Sequence, residues 1–131
     1  MTLCFSDTDT LFDSGGFVAI DYSNKIIVVA FRGTRNLPAF LRNLQALAAP
    51  VAPVPLDLCG TTLECEVSMF FNKIYTVRRA RVMAAVKTAM LKAPNFKVVT
   101  TGHSLGGALS HFAGLDLRNQ GITTDLVGRQ L

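Results

Sequence analysis

Two glycines around one serine limit how this chain can fold near residue 104. The segment is Gly102-His103-Ser104-Leu105-Gly106, with a run rich in β-branched residues before it (96–101) and apolar residues at helical spacing after it. At a sharp turn from strand to helix, side chains two positions before and after the serine would clash, so glycine is needed at both. The pattern predicts such a turn, in strained backbone geometry, with the Ser104 hydroxyl exposed at its tip.

A serine at such a turn is a candidate nucleophile. The helix that begins after it directs the partial positive charge of its N-terminus at the reacting centre. No lysine follows the glycines, which argues against a phosphate-binding loop. The alternative is a glycine turn without a catalytic role, because the pentapeptide alone is short enough to recur by chance. The strand before it and the apolar helix after it favour the nucleophile.

A second segment, Phe31-Arg32-Gly33-Thr34, ends an apolar strand. Acyl transfer needs hydrogen-bond donors aimed at the developing oxyanion, commonly two backbone N–H groups. One belongs to the residue after the nucleophile, here Leu105, and the other to a loop that follows an earlier strand, where Thr34 lies. The alternative is an ordinary strand-end turn with a charged Arg32, and the pattern alone leaves both open.

The first half of the chain indicates a β-hairpin. Residues 17–22 and 26–31 have strand composition around turn residues 23–25, and the second strand is apolar enough to be buried on both faces. Residues 37–47 have helical spacing, and the proline-rich segment 49–55 is a connector that cannot be a helix interior.

The second half predicts an α/β architecture. A helix over 71–92, a strand over 96–101, a helix ending at Gly121 and a strand over 124–127 alternate. Such alternation implies parallel strands joined by crossover helices. The expected apolar line of the first helix is Ile74, Val77, Val82, Val86 and Met90.

Composition restricts the class of protein. Half of the 131 residues are apolar and 17% are charged, which is typical of a globular chain. The densest basic cluster, Arg78, Arg79 and Arg81, is interpreted as a solvated helix face, so no nucleic-acid partner is predicted. The sequence contains neither a run long enough for a transmembrane segment nor a signal-peptide pattern. These residues alone therefore indicate a soluble, cytosolic chain.

Three segments together resemble the class 3 family of fungal lipases. They are GGFVAIDYSNK (15–25), IVVAFRGT (27–34) and VVTTGHSLGGA (98–108), and the similarity extends from about residue 7 to about residue 127. The resemblance implies an α/β-hydrolase fold and an acylglycerol lipase or feruloyl-type esterase. It implies a lipid or other ester substrate, bound at a lipid–water interface, and neither a cofactor nor a metal.

The resemblance also assigns residues. It implies Ser104 as nucleophile, with Thr34 and Leu105 in the oxyanion hole. It implies a disulfide between Cys59 and Cys65, and an extracellular location despite the absent signal sequence. It places a mobile lid on the helix after Arg-Gly-Thr, although periodicity alone equally allows a helix packed permanently on the sheet. The lid candidates are Leu37, Phe40, Leu41 and Leu44.

The catalytic machinery is expected to be incomplete in this chain. In this fold the triad runs Ser, Asp, His along the sequence. His103 adjoins the nucleophile, so its side chain is expected to point elsewhere, either packed in the interior or supporting the residues that form the site. His111 lies about 10 Å further along the helix axis, facing away. Residues 1–131 are therefore interpreted as a truncated domain that lacks the catalytic Asp and His and is inactive alone. The alternative is a non-catalytic remnant that binds lipid or a partner.

Overall fold

The fold alternates strands and helices along the chain. The computed structural model describes residues 1–9, 14–36, 38, 51–53 and 66–126. Within them the elements, in chain order, are β1 (Thr2–Asp9), β2 (Ser14–Asp21), β3 (Ile26–Arg32), β4 (Val51–Pro53), β5 (Glu66–Ser68), α1 (Met69–Lys92), β6 (Lys97–Gly102), α2 (Leu105–Asn119) and β7 (Thr124–Leu126).

Several predicted features lie outside the described residues. These are the lid candidates Leu37, Phe40, Leu41 and Leu44 and the disulfide candidates Cys59 and Cys65. They remain predictions. Cys4 is described and is a free thiol.

A five-stranded mixed sheet has the order β1-β2-β3-β6-β7. The first three strands are antiparallel neighbours, and β3, β6 and β7 run parallel. The short turn after Asp21 permits the antiparallel hairpin, whereas each parallel crossover contains a helix, as parallel connections usually do. This arrangement confirms the predicted α/β-hydrolase type, a hairpin leading into parallel strands.

The register of the parallel strands positions the site. Phe31 on β3 pairs with Gly102 on β6. Because parallel strands place their carboxyl ends at the same edge of a sheet, the segment after Phe31 and the segment after Gly102 leave that edge side by side. The connector after the lid candidates contains β4, which pairs with β5 in a separate two-stranded sheet.

Both helices pack on one face of the sheet, and their apolar residues form one core with it. The prediction that β3 is buried on both faces is wrong in part. Ile27, Val29 and Phe31 are buried, whereas the alternate residues Val28 and Ala30 are half-buried. In the described part of the chain, the two helices cover only the face that carries the buried set.

The buried face of α1 differs from the predicted apolar line. Val77 is 51% exposed, whereas Arg78 is 1% exposed. The solvated-face interpretation of the arginines is therefore wrong for Arg78 and, as described next, for Arg79; only Arg81 is exposed. An arginine can occupy a core-facing position because three methylene groups carry its charge, and such a position need not be apolar in sequence.

A buried ionic cluster joins the two helices. The carboxylate of Asp116, on α2, is fully buried and accepts hydrogen bonds from Tyr75 Oη at 2.7 Å, Arg79 Nε at 2.8 Å and Arg79 Nη2 at 2.9 Å. The rings of Tyr75 and Phe112 stack beside it, with centroids 5.7 Å apart. Since the partners are 37 and 41 residues from Asp116 in sequence, no local pattern signals this cluster.

The hairpin turn contains a strained residue. Asp21 accepts the backbone N–H groups of Ser23 and Asn24 and the side-chain amide of Asn24, and these bonds, the Asn24 amide foremost, lower the pKa of the Asp21 carboxyl. Lys25, which follows, has φ of 56°. A side chain in this left-handed region costs about 1–2 kcal/mol relative to the right-handed region.

Lys25→Gly is expected to raise the free energy of unfolding by up to about 1 kcal/mol. Glycine removes the left-handed strain, partly offset by the greater freedom it gives the unfolded chain. Urea unfolding measures the change. Lys25→Ala removes the same side chain but keeps the strain, so it should not stabilise; equal gains in both variants would contradict this account.

Thr100→Val is expected to raise the free energy of unfolding by about 1 kcal/mol. The Thr100 side chain is fully buried, and its Oγ1 has no hydrogen-bond partner in the described part of the chain. A buried hydroxyl without a partner costs about 1–3 kcal/mol, and valine has nearly the same shape.

Thr124→Val is the matched control. Thr124 is also buried, but its hydroxyl donates to the carbonyl of Ile122 at 3.0 Å. Its replacement should lower stability by about 1 kcal/mol. Urea unfolding of both variants measures the two changes in the free energy of unfolding. Changes of the same sign would contradict the prediction that, of these two hydroxyls, only that of Thr100 lacks a partner.

Candidate active site

Ser104 lies at a sharp turn between β6 and α2. The strand ends at Gly102 and the helix begins at Leu105, so only His103 and Ser104 connect the strand to the helix. Ser104 has φ of 57° and ψ of −121°, a conformation that a residue with a Cβ rarely adopts. The predicted strained strand-to-helix turn is therefore present in the structure.

The two flanking glycines are required by close backbone contacts. A Cβ added to Gly102 would lie 2.1 Å from the carbonyl oxygen of Gly106. A Cβ added to Gly106 would lie 2.1 Å from the carbonyl oxygen of Phe31. The turn thus packs against itself and against the end of β3, and neither contact involves a side chain that is able to rotate away.

The end of β3 also reaches the serine. A Cβ added to Gly33 would lie 2.9 Å from the carbonyl oxygen of His103 and 3.7 Å from Ser104 Cβ. Gly33 therefore packs directly against the turn, and Thr34 follows it. This contact was not predicted, although a glycine directly after a buried strand is a signal of close backbone approach.

Of the two predicted oxyanion residues, Leu105 directly follows the serine in the chain, and Thr34 directly follows Gly33, whose backbone packs against the serine turn. Leu105 is buried and is the first residue of α2. Backbone N–H groups in the first turn of a helix have no carbonyl partner within the helix. Thr34 is half-buried, and its Oγ1 accepts the N–H of Asn36 at 3.2 Å. The hydroxyl of Thr34 thus holds the turn after β3.

The prediction that the Ser104 hydroxyl is exposed is wrong. Its Oγ is buried and makes no hydrogen bond within the described residues. The expectation that His103 is packed is also wrong, because its side chain is exposed while its carbonyl contacts the Gly33 region. His111 is exposed as well, and neither of the two histidines hydrogen-bonds Ser104.

His111 belongs to a separate cleft between α2 and β7. This cleft, of about 210 Å³, is lined by Ser110, His111, Gly114, Leu115, Arg118, Thr124 and Leu126. Arg118 closes one side by donating from Nε and Nη2 to the carbonyl of Thr124, at 2.9 and 2.7 Å. The residues that line the cleft include neither Ser104 nor Thr34.

The described residues contain no group of three His, Cys, Asp or Glu side chains arranged to hold a metal ion. Neither helix in this part of the chain has the length and apolar composition that a bilayer span needs.

A family sequence model matches the part of the chain that contains this turn. The sequence model of the family described as Lipase (class 3) matches residues 28–129, which include most of β3, the serine turn and α2. The chain belongs to the class 3 lipase family. This confirms the resemblance that the three sequence segments indicated.

Secreted lipases are similar to most of this chain. The secreted mono- and diacylglycerol lipase A of Penicillium camembertii is 34% identical over 117 residues, which are 89% of this chain and 35% of that protein. The secreted mono- and diacylglycerol lipase 1 of Fusarium solani is 35% identical over 112 residues, 86% of this chain and 31% of that protein. The chain therefore spans about a third of the length of these relatives.

Solved lipase structures share the fold. The Lip2 lipase from Yarrowia lipolytica matches with a TM-score of 0.83 and 25% identity, covering 96% of this chain and 45% of that one. The mono- and diacylglycerol lipase from Aspergillus oryzae matches with a TM-score of 0.75 and 31% identity, covering 92% of this chain and 42% of that one.

Proposed function

We propose that this chain carries the nucleophile and oxyanion hole of a serine hydrolase that acts on lipid esters. The observation that carries the proposal is the backbone of Ser104, held at φ of 57° between two glycines that tolerate no Cβ. Strain of this kind persists only where the surrounding structure enforces it, and it is common at catalytic serines.

In this proposal Ser104 Oγ attacks the ester carbonyl, and its proton passes to a general base. The carbonyl oxygen becomes an oxyanion that accepts the N–H groups of Thr34 and Leu105. As the tetrahedral intermediate collapses, the protonated base gives its proton to the leaving oxygen, which expels the alcohol and leaves an acyl group on Ser104. Water then attacks the acyl-enzyme while the base takes a proton from it; the base passes that proton to Ser104 Oγ as the carboxylic acid is released.

The base is not among these 131 residues in this proposal. The absence of a hydrogen bond from Ser104 Oγ to either histidine supports this assignment. We propose that residues 1–131 are the front part of the lipase domain and that the catalytic Asp and His lie outside them. Alone, the chain is expected to hydrolyse esters far below the rate of a complete enzyme.

Location and substrate follow the relatives. Their names, secreted mono- and diacylglycerol lipases, support an extracellular location and acylglycerol substrates for this chain as well. In an oxidising compartment Cys59 and Cys65 would pair, as the resemblance implies. The proposed partner of the site is therefore a lipid ester at a lipid–water interface.

Imidazole in solution tests the proposal by replacing the missing base. The 131-residue chain is assayed with nitrophenyl butyrate as imidazole is raised, and Ser104→Ala is assayed in parallel to subtract hydrolysis by imidazole itself. Turnover above the Ser104→Ala background, saturating in ester, is the expected result. Identical rates for the two proteins, together with binding of ester-analogue micelles, would instead indicate a remnant that binds lipid without catalysis.

A further inference from the structure

Arg32 contacts the backbone next to the proposed oxyanion donor. Its Nη1 donates to the carbonyl oxygen of Gly33 at 3.3 Å, in a half-buried environment. That carbonyl and the N–H of Thr34 belong to the same peptide group. Because a trans peptide is planar and directs its C=O and N–H to opposite sides, a bond that orients the carbonyl also orients the N–H.

This peptide needs such an anchor because a glycine precedes it. Gly33 cannot carry a Cβ, since its backbone lies against the carbonyl of His103. The same lack of a Cβ leaves its ψ angle unusually free to rotate. In the proposed site the Thr34 N–H is directed at the oxyanion, so a flip of the Gly33–Thr34 peptide would place a carbonyl dipole there instead and would repel the negative charge.

We infer that Arg32 is a positioning residue that holds the Gly33–Thr34 peptide with the Thr34 N–H directed at the oxyanion. The inference rests on the proposed function and adds the device that orients one of its two donors. The guanidinium charge on the carbonyl side also polarises the peptide, which strengthens the N–H as a donor. After Thr34 in the chain, the backbone N–H of Asn36 donates to the Thr34 hydroxyl, and this hydrogen bond fixes the following turn of backbone.

Nuclear magnetic resonance tests the orientation without any catalysis. In Arg32→Met, the residual dipolar coupling of the Thr34 N–H and the carbonyl carbon shift of Gly33 are expected to change, while the coupling of the Leu105 N–H does not. Arg35→Met, which removes an exposed arginine three residues away, is the charge control and should leave all three unchanged. A Thr34 coupling that is the same in wild type and Arg32→Met would overturn the inference.

Imidazole-supported turnover gives a second readout. Outright loss of one oxyanion donor lowers kcat by about 10²–10³-fold, so a misdirected donor should cost about tenfold or more in kcat with little change in KM. The preference for an ester over its thionoester should also shrink, because sulfur accepts hydrogen bonds poorly and depends less on the donor. Arg32→Lys keeps a cationic donor and should retain most of the wild-type rate.

The two readouts separate the inference from the function beneath it. A wild-type chain without Ser104-dependent turnover in the presence of imidazole, combined with a Thr34 coupling that responds to Arg32→Met, would refute the proposed function and still show that Arg32 orients this peptide. Normal turnover and an unchanged ester preference in Arg32→Met would refute the positioning role and leave the proposed function intact.

Discussion

Gly106→Ala is expected to prevent the chain from reaching its native fold. The added Cβ would lie 2.1 Å from the Phe31 oxygen, 2.8 Å from the Phe31 carbonyl carbon and 3.0 Å from the Arg32 carbonyl carbon. All three atoms are backbone of the strand that forms the middle of the sheet, so α2 would have to move away from β3. We expect a loss above about 4 kcal/mol, a large share of the roughly 5–15 kcal/mol that stabilises a domain.

Gly114→Ala is the matched control on the same helix. Its added Cβ would meet only Thr100 Oγ1, at 3.4 Å, which is ordinary contact. Alanine is favoured over glycine inside a helix by about 0.5–1 kcal/mol, so this variant should be as stable as wild type or slightly more stable. Far-ultraviolet circular dichroism and urea unfolding compare the two. If Gly106→Ala unfolds at the wild-type urea concentration, the packing of the turn against β3 is wrong.

Asp116→Ala is expected to lower the free energy of unfolding by about 3 kcal/mol. The change removes the carboxylate that accepts hydrogen bonds from Tyr75 Oη and from two nitrogens of Arg79. This carboxylate is fully buried. Breaking a buried ion pair by removing one partner typically costs about 3–5 kcal/mol. The lower end applies because the Arg79 side chain keeps 28% exposure and regains some hydration.

Asp125→Ala removes a carboxylate from an exposed ion pair and serves as the comparison. Asp125 pairs with Lys97, and their side chains are 44% and 58% exposed. Surface pairs contribute about 0–1 kcal/mol, so this variant should unfold close to wild type. Urea unfolding measures the loss of stability in both variants. Equal losses from Asp116→Ala and Asp125→Ala would show that the buried cluster does not hold α1 against α2.

Local patterns predict the turn and the sheet because their causes are local. Glycines at 102 and 106 exclude side chains that would collide with nearby backbone, and apolar strands followed by turn residues predict the hairpin. The close packing of Gly33 on the turn depends on the parallel register of β3 and β6. That register joins residues about 70 positions apart, so the glycine after β3 indicates a close approach of backbone without indicating which segment approaches it.

Other features depended on partners that are distant in sequence. Helical spacing allows either Val77 or Arg78 to face the sheet, and the arginine occupies that face on a helix that also presents Arg79 to Asp116. Charge and hydropathy patterns describe one element at a time, which explains why these assignments differ from the structure.

Covalent labelling of Ser104 tests the central claim, that this serine is the nucleophile, most directly. The chain is treated with a nitrophenyl alkylphosphonate in the presence of imidazole, digested and mapped by mass spectrometry. Ser110, on the helix that follows Ser104, donates its hydroxyl to the carbonyl of Gly107 and is the internal control. The account predicts one phosphonyl group on the peptide segment at Ser104, none at Ser110, and no labelling of Ser104→Ala. Labelling spread over several serines, or equal labelling of Ser104→Ala and wild type, would contradict it.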